Sequence, residues 1–431
     1  MFVKLVILLS SLTIIVNGVD QFHETFQWKT INIVWPSEEI RTRVYERNEF
    51  IPVNNAIVGI KIWKNNMYLT IPRYKEGIPI TLGVASSIPN VTYSPSLIPY
   101  PSWEMQQIGD CKSLQFVQSM EIDPKGRMWI IDSGRTETMT TQPKSRCPPR
   151  LVIIDIENNG EILKNHEFSS DVASPDMSLL NDIVLDHTDG GYAYITDTNK
   201  LNPGIIVYSL RDNKSWKISH DSMKAQGEDT KLRVGNERLN DAINIDGIAL
   251  SPVDTASRLV YYSPFSSLHL YTVPTSVLKN NTKDINDYVR DIGRKNSQSD
   301  GMIMSSNGIL YYGSLSDDAV SVWDSIRTSF STGPHFISRD HERMQWPGAF
   351  SIDENGFLWC VTNGLQNYIK DQIDQNKPNY RVLKMSTGYK NYQYHENGSA
   401  PEQPVITAGA NNNIAMIIGT FLLFFMTILL K

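Results

Sequence analysis

Short apolar runs, rich in β-branched and aromatic residues, alternate with Gly, Asn and Asp turns through most of this chain. Long stretches of helical periodicity are absent. A two-residue period, or an apolar run bounded by turn residues, is the mark of a strand, so the chain reads as all-β. The runs also repeat. Ser119 to Ser133 is strand, Asp-Pro-Lys-Gly turn, strand; Ala349 to Asn363 is strand, Asp-Glu-Asn-Gly turn, strand; Gly301 to Ser314 is a third copy around a Ser-Ser-Asn-Gly turn. Each is a hairpin carrying its own turn chemistry. Looser copies run from Asp182 to Asp197 and from Gly247 to Ser263, and a degenerate one from Ile57 to Ile71. A third apolar strand often follows, as at Leu151–Asp155, Ile205–Tyr208 and Leu268–Tyr271.

Six hairpins about 50 to 65 residues apart, with no helices between them, predict a six-bladed β-propeller spanning Phe26 to Gly388. A double β-sandwich gives no reason for one hairpin to recur. The segment from Phe26 to Trp35 precedes the first copy. It is expected to lend an outer strand to the last blade and close the ring.

The two ends break the pattern. Lys4, the apolar run Leu5–Val16 and the small residues at Asn17-Gly18 come in the order of a secretory signal, with cleavage after Gly18. Residues 1–18 are therefore read as a signal peptide and 19–388 as the propeller. Residues 389–413 are read as a polar stalk and 414–431 as a hydrophobic tail. Small residues at Asn397–Ala400, a polar spacer and a terminal apolar run form the pattern of a cleaved lipid-anchor signal. A transmembrane helix with a one-residue tail is the competing reading. Either places the protein at the cell surface, with the membrane as a partner.

Composition changes the picture only at a few points. The 431 residues carry a net charge of -6 with no basic block, which argues against nucleic acid. In an oxidising compartment Cys111 and Cys147, both in polar loop-like stretches, are expected to pair. Cys360, inside an apolar strand, reads as a buried free thiol. Asn90, Asn213, Asn280 and Asn397 head N-glycosylation sequons in turn-rich segments. Phosphate-loop, nucleophile-elbow and metalloprotease motifs are missing, and no cofactor or metal is expected.

Aligning the hairpins with one another brings Gln118, Asn181, Asp246, Asp300 and Gly348 to one register position, five residues before each turn. In a propeller the first strand of each blade lines the channel, so these residues are expected to form a ring near one mouth. Such a ring can hold a cationic amine; equally, each residue can cap a turn or tie blades together. Glu121, Asp182, Asp246, Asp300 and His220 are the candidates for acid–base chemistry, although His220 also fits an exposed loop histidine.

Many of these segments resemble one family. Asp110-Cys111, Val117–Asp123, Gly126–Trp129, Ile131–Gly134, Cys147–Pro149, Leu180–Asp182, Tyr194–Asp197, Asp246–Pro252, Tyr261–Pro264, Ser297–Gly301, Gln345–Pro347 and Asn379–Arg381 are similar to the yellow/major royal jelly proteins of insects, as are Val58–Lys61 and Ile71–Arg73. The resemblance covers Phe26 to Lys384. It implies a secreted six-bladed propeller. It also implies one of several activities: cuticle pigmentation, dopachrome conversion, or binding of biogenic amines. From the amine binders it carries over Asn363 as a ligand residue; Phe350, on the same last blade, is expected to offer an aromatic face. Two departures count against amine binding: Gly348-Ala349 where many relatives have Asp-Thr, and Leu365 where an aromatic packs. The expectation is a channel that binds a small aromatic amine or catechol-derived metabolite at Gln118, Asn181, Asp182, Asp246, Asp300, Phe350 and Asn363. The alternatives are a dopachrome tautomerase and a surface protein with a vestigial channel.

Overall fold

The computed structural model describes residues 22–89 and 93–406. Its strands form six four-stranded antiparallel sheets, each a blade. Naming blades by their innermost strands, blade 1 starts with Gly59–Trp63, blade 2 with Val117–Ile122 and blade 3 with Leu180–Asp186. Blade 4 starts with Ile245–Leu250, blade 5 with Met302–Met304 and blade 6 with Pro347–Ile352. The three α-helices are short, the longest being Glu38–Glu46. Among the described residues no helix is long and apolar enough to cross a membrane.

The repeat has a physical cause in its turns. In blades 2 and 6 the turn aspartate, Asp123 or Asp353, accepts backbone N–H groups within its own turn and also the indole N–H of Trp129 (3.2 Å) or Trp359 (2.8 Å) from the next strand. Gly126, Gly308 and Gly356 close the turns at φ of +74°, +81° and +77°, a region open to glycine without strain. The same residues therefore build the same hairpin in blades 2 and 6, and in blade 5 Ser305 takes the aspartate's place, its hydroxyl accepting the Ile309 N–H.

The ring closes as expected. His23–Trp28 pairs antiparallel with Tyr380–Ser386 and becomes the outer strand of blade 6. Phe26 and Trp28 are buried there, each contributing roughly 2–3 kcal/mol. Cys111 and Cys147 are disulfide-bonded, tying the loop before blade 2 to the loop within it, while Cys360 is free and buried.

One expectation is corrected. Residues 389–406 do not leave the propeller as a stalk. Asn391 bridges to Ser305, the Tyr392 N–H donates to the Met304 carbonyl, and Gln393 Nε2 donates to the Ile122 carbonyl at 2.9 Å. This segment is turn-rich and polar, which made it look like a linker. Its buried Tyr392 and Gln393 instead close the lower end of the channel. Asn213, Asn280 and Asn397 are exposed at turns, while Asn90, residues 1–18 and residues 414–431 lie outside the described residues.

Candidate functional site

The innermost strands carry a shared irregularity. Pairing with the second strand slips between Val117 and Met120 in blade 2, Leu180 and Ile183 in blade 3, Ile245 and Ile248 in blade 4, and Pro347 and Ala349 in blade 6. Each slip is a β-bulge, which bends a strand and re-aims side chains. The residues inside the bulges are Gln118-Ser119, Asn181-Asp182, Asp246-Gly247 and Gly348. The bulges thus stand at the register positions that the repeat singled out.

Gln118, Asn181, Asp246 and Asp300 line both of the cavities that meet on the propeller axis. Above them opens a recess walled by Tyr74, Leu179, Leu232, Leu239, Phe265, Trp346 and Leu365. Leu232 and Leu239 belong to a two-stranded hairpin laid over the channel mouth. Asp241 stands exposed at the rim, and no lysine or arginine is among the described residues lining the recess. Below the ring lies a narrower chamber lined by Lys61, Glu121, Asp182, Phe350 and Tyr392.

The two compartments differ in charge balance. In the lower chamber Lys61 Nζ lies 3.0 Å from Glu121 and also donates to the Phe350 carbonyl at 3.4 Å. The Tyr392 hydroxyl accepts the Leu185 N–H at 2.9 Å and faces Glu121. Asp182 accepts the Ser119 hydroxyl at 2.9 Å. Burial pushes the Glu121 and Asp182 carboxyls up, and Lys61 pulls both back. At the recess floor the Tyr74 hydroxyl donates to Gln118 Oε1 (2.6 Å), and Asn181 Nδ2 donates to Thr198 (3.1 Å). Asp246 and Asp300 face each other. Burial is the largest cause raising both, and for Asp246 the Asp300 charge adds to it. The cation nearest Asp246, Lys295, is itself buried, held by the Ser263 and Ser299 hydroxyls, and pushed down to about 7 by burial. The floor is therefore acidic and uncompensated, beneath aromatic walls.

Not every expected residue joins this site. Asn363 is fully buried, with Nδ2 on the Ile57 carbonyl (3.2 Å) and Oδ1 accepting the Leu365 N–H. It lies just past its strand and ties blade 6 to blade 1. Phe350 lies below the ring in the lower chamber, away from the recess. His220 caps a turn through Ser222 and bonds Asn286, lining neither cavity. Tyr74, Phe265, Trp346, Lys61 and Lys295 were not singled out by the sequence. Tyr74, Lys61 and Trp346 lie within or next to resembling segments. For Tyr392, brought in from far along the chain, the sequence carried no signal.

Among the described residues no group of three or more His, Cys, Asp or Glu is arranged to hold a metal ion. The family model described as "Major royal jelly protein" matches residues 115–391. The chain is 28% identical over 380 residues to Protein yellow of Drosophila guanche, an alignment covering 84% of this chain and 65% of that protein. With Protein yellow of Drosophila melanogaster the identity is 28% and the coverage 84% and 68%. The chain thus spans about two thirds of the length of these relatives. A solved luciferin-regenerating enzyme superposes with a TM-score of 0.47 at 12% identity, over 83% of this chain and 99% of that one.

Proposed function

The chain belongs to the major royal jelly protein family, and from that premise we propose that it is an extracellular, yellow-like protein of pigment or cuticle chemistry that binds a small aromatic amine or catechol-derived metabolite in the recess above the ring. The observation carrying this reading is the acidic floor under aromatic walls. An ammonium answers the Asp246–Asp300 carboxyls, and an aromatic ring answers Tyr74, Phe265 and Trp346. Among the described residues the lining holds no lysine or arginine, which disfavours anions. The lower chamber plays a different part: its lysine and carboxylates already satisfy one another.

A second reading, dopachrome tautomerisation, draws support from one feature: two facing carboxyls in unlike surroundings can give and take a proton. One experiment separates the two. The purified protein is titrated with dopamine and serotonin by calorimetry while dopachrome decay is followed in parallel. Saturable heat without faster decay supports the binder. Faster decay that Asp246→Asn abolishes supports the tautomerase. Neither heat nor decay overturns both readings.

Surface attachment belongs to the same proposal. Residues 414–431 are proposed to be a cleaved lipid-anchor signal, with attachment near Asn397–Ala400. Phosphatidylinositol-specific phospholipase should release the protein from cells; a protein that stays bound and keeps residues 414–431 spans the membrane instead.

A further inference from the structure

Trp346 combines several unusual properties. Its backbone has φ +56°, the left-handed region, which is a genuine outlier for a bulky residue and is further disfavoured before Pro347. Strain of this kind persists only where surrounding contacts enforce it, and it clusters at functional sites. Here the contacts are visible. The indole is 2% exposed and stacks on Phe265 with centroids 5.5 Å apart. Its N–H donates to Asp300 Oδ2 at 2.7 Å. Two residues on, Gly348 leaves the space that this oxygen fills: a Cβ there would stand 2.9 Å from Asp300 Oδ2 and 3.2 Å from the indole. Gly348 accordingly allows the geometry that Trp346 enforces. Asp246, facing Asp300 from the neighbouring blade, has no such N–H donor among the described residues; its carbonyl, not its carboxyl, accepts the Thr196 hydroxyl.

We propose that the Trp346–Gly348 corner makes the two facing carboxyls unequal, so that Asp300 is held as the carboxylate and Asp246 carries the shared proton. An N–H bonded to one carboxyl stabilises its charged form, and a second charge close by is then resisted. The other groups facing the pair do not reverse this order. Asp182 is anionic and disfavours charge on both, the Tyr74 hydroxyl is engaged by Gln118, and Lys295 acts on Asp246 only from its serine cradle. Trp346 is thus a positioning residue. Burial pushes the Asp300 carboxyl up to about 7, so above that pH the floor carries one negative charge, the match for a monoammonium ligand and not for a dication. That consequence for the ligand rests on the recess being the binding site; the order of the protons does not.

The test is an infrared titration of the protonated-carboxyl band in the ligand-free protein. Asp300→Asn should keep a band at neutral pH, from Asp246, and Asp246→Asn should lose its band at lower pH. Trp346→Phe keeps the ring but removes the N–H. It should move the first ionisation of the pair upward by about one pH unit, a tenfold change in proton affinity. Gly348→Ala, which displaces Asp300 Oδ2 from the indole, should move it the same way and serves if the tryptophan variant fails to fold. An unshifted midpoint in a folded variant, or a neutral-pH band abolished by Asp300→Asn alone, overturns the assignment. Because no amine is present, a failure of amine binding leaves this result standing.

Discussion

Asp186 and Asp246 are both buried aspartates on innermost strands of neighbouring blades, and their surroundings are opposite. Asp186, at the lower end of blade 3, bonds Arg258 at 2.8 Å and Lys279 at 2.8 Å. Burial alone would raise it, but these two cations outweigh burial and hold its carboxyl at about 2. Asp132 with Arg150 and Asp197 with Lys217 repeat the arrangement in blades 2 and 3. Asp246 faces another carboxyl and is pushed up. The structural carboxylates Asp132, Asp186 and Asp197 are matched by cations from the same or the next blade. The pair at the channel mouth is left for something from outside. Burying charge without a partner is costly; the ammonium of the proposed ligand would supply the partner that the fold does not.

This contrast can be broken by substitution. Arg258→Met should leave Asp186 half-matched and cost about 3–5 kcal/mol of stability, read by denaturant unfolding. Separating Cys111 from Cys147 by Cys→Ser, which reopens a link across 36 residues, should cost about 3–4 kcal/mol. Asp246→Asn should act in the opposite direction. Raised carboxyls contribute stability below their unfolded value near 4, and it is lost as pH rises through the folded value. The asparagine removes that loss, so the variant should gain stability at pH 8, and the gain should shrink toward pH 4. A loss at pH 8 would place Asp246 among the structural carboxylates. For Asp186, depressed to about 2, the sign reverses: its contribution is present above pH ~4 and fades as pH falls toward 2. Lys224→Ala, at an exposed pair with Asp221, should change stability by less than about 0.5 kcal/mol.

Much of this architecture was legible because local chemistry repeats. The Asp…Gly…Trp hairpins of blades 2 and 6 set a template, and the blade count follows from its looser copies along the chain. The ring was legible for the same reason: Gln118, Asn181, Asp246 and Asp300 hold one offset from the turn, and in blades 2, 3 and 4 a bulge stands at that offset. What escaped depends on distant parts of the chain. Tyr392 reaches the channel through a segment with no strand pattern, and Phe265 meets Trp346 only after folding. Asn363 was misplaced because resemblance carries a residue's position but not its orientation; one step past the strand, its amide turns to the Ile57 carbonyl.

The central claim is that the mouth carboxyls recognise a positive charge. The direct test compares dopamine with its uncharged analogue 4-ethylcatechol, by calorimetry at neutral pH, on the native protein and on Asp246→Asn/Asp300→Asn. The account predicts that the native protein binds dopamine at least about tenfold more tightly, as expected for one charge-assisted contact, and that the preference vanishes in the double variant. Equal affinity for the two compounds in the native protein, or a preference for dopamine that survives the loss of both carboxyls, would contradict it.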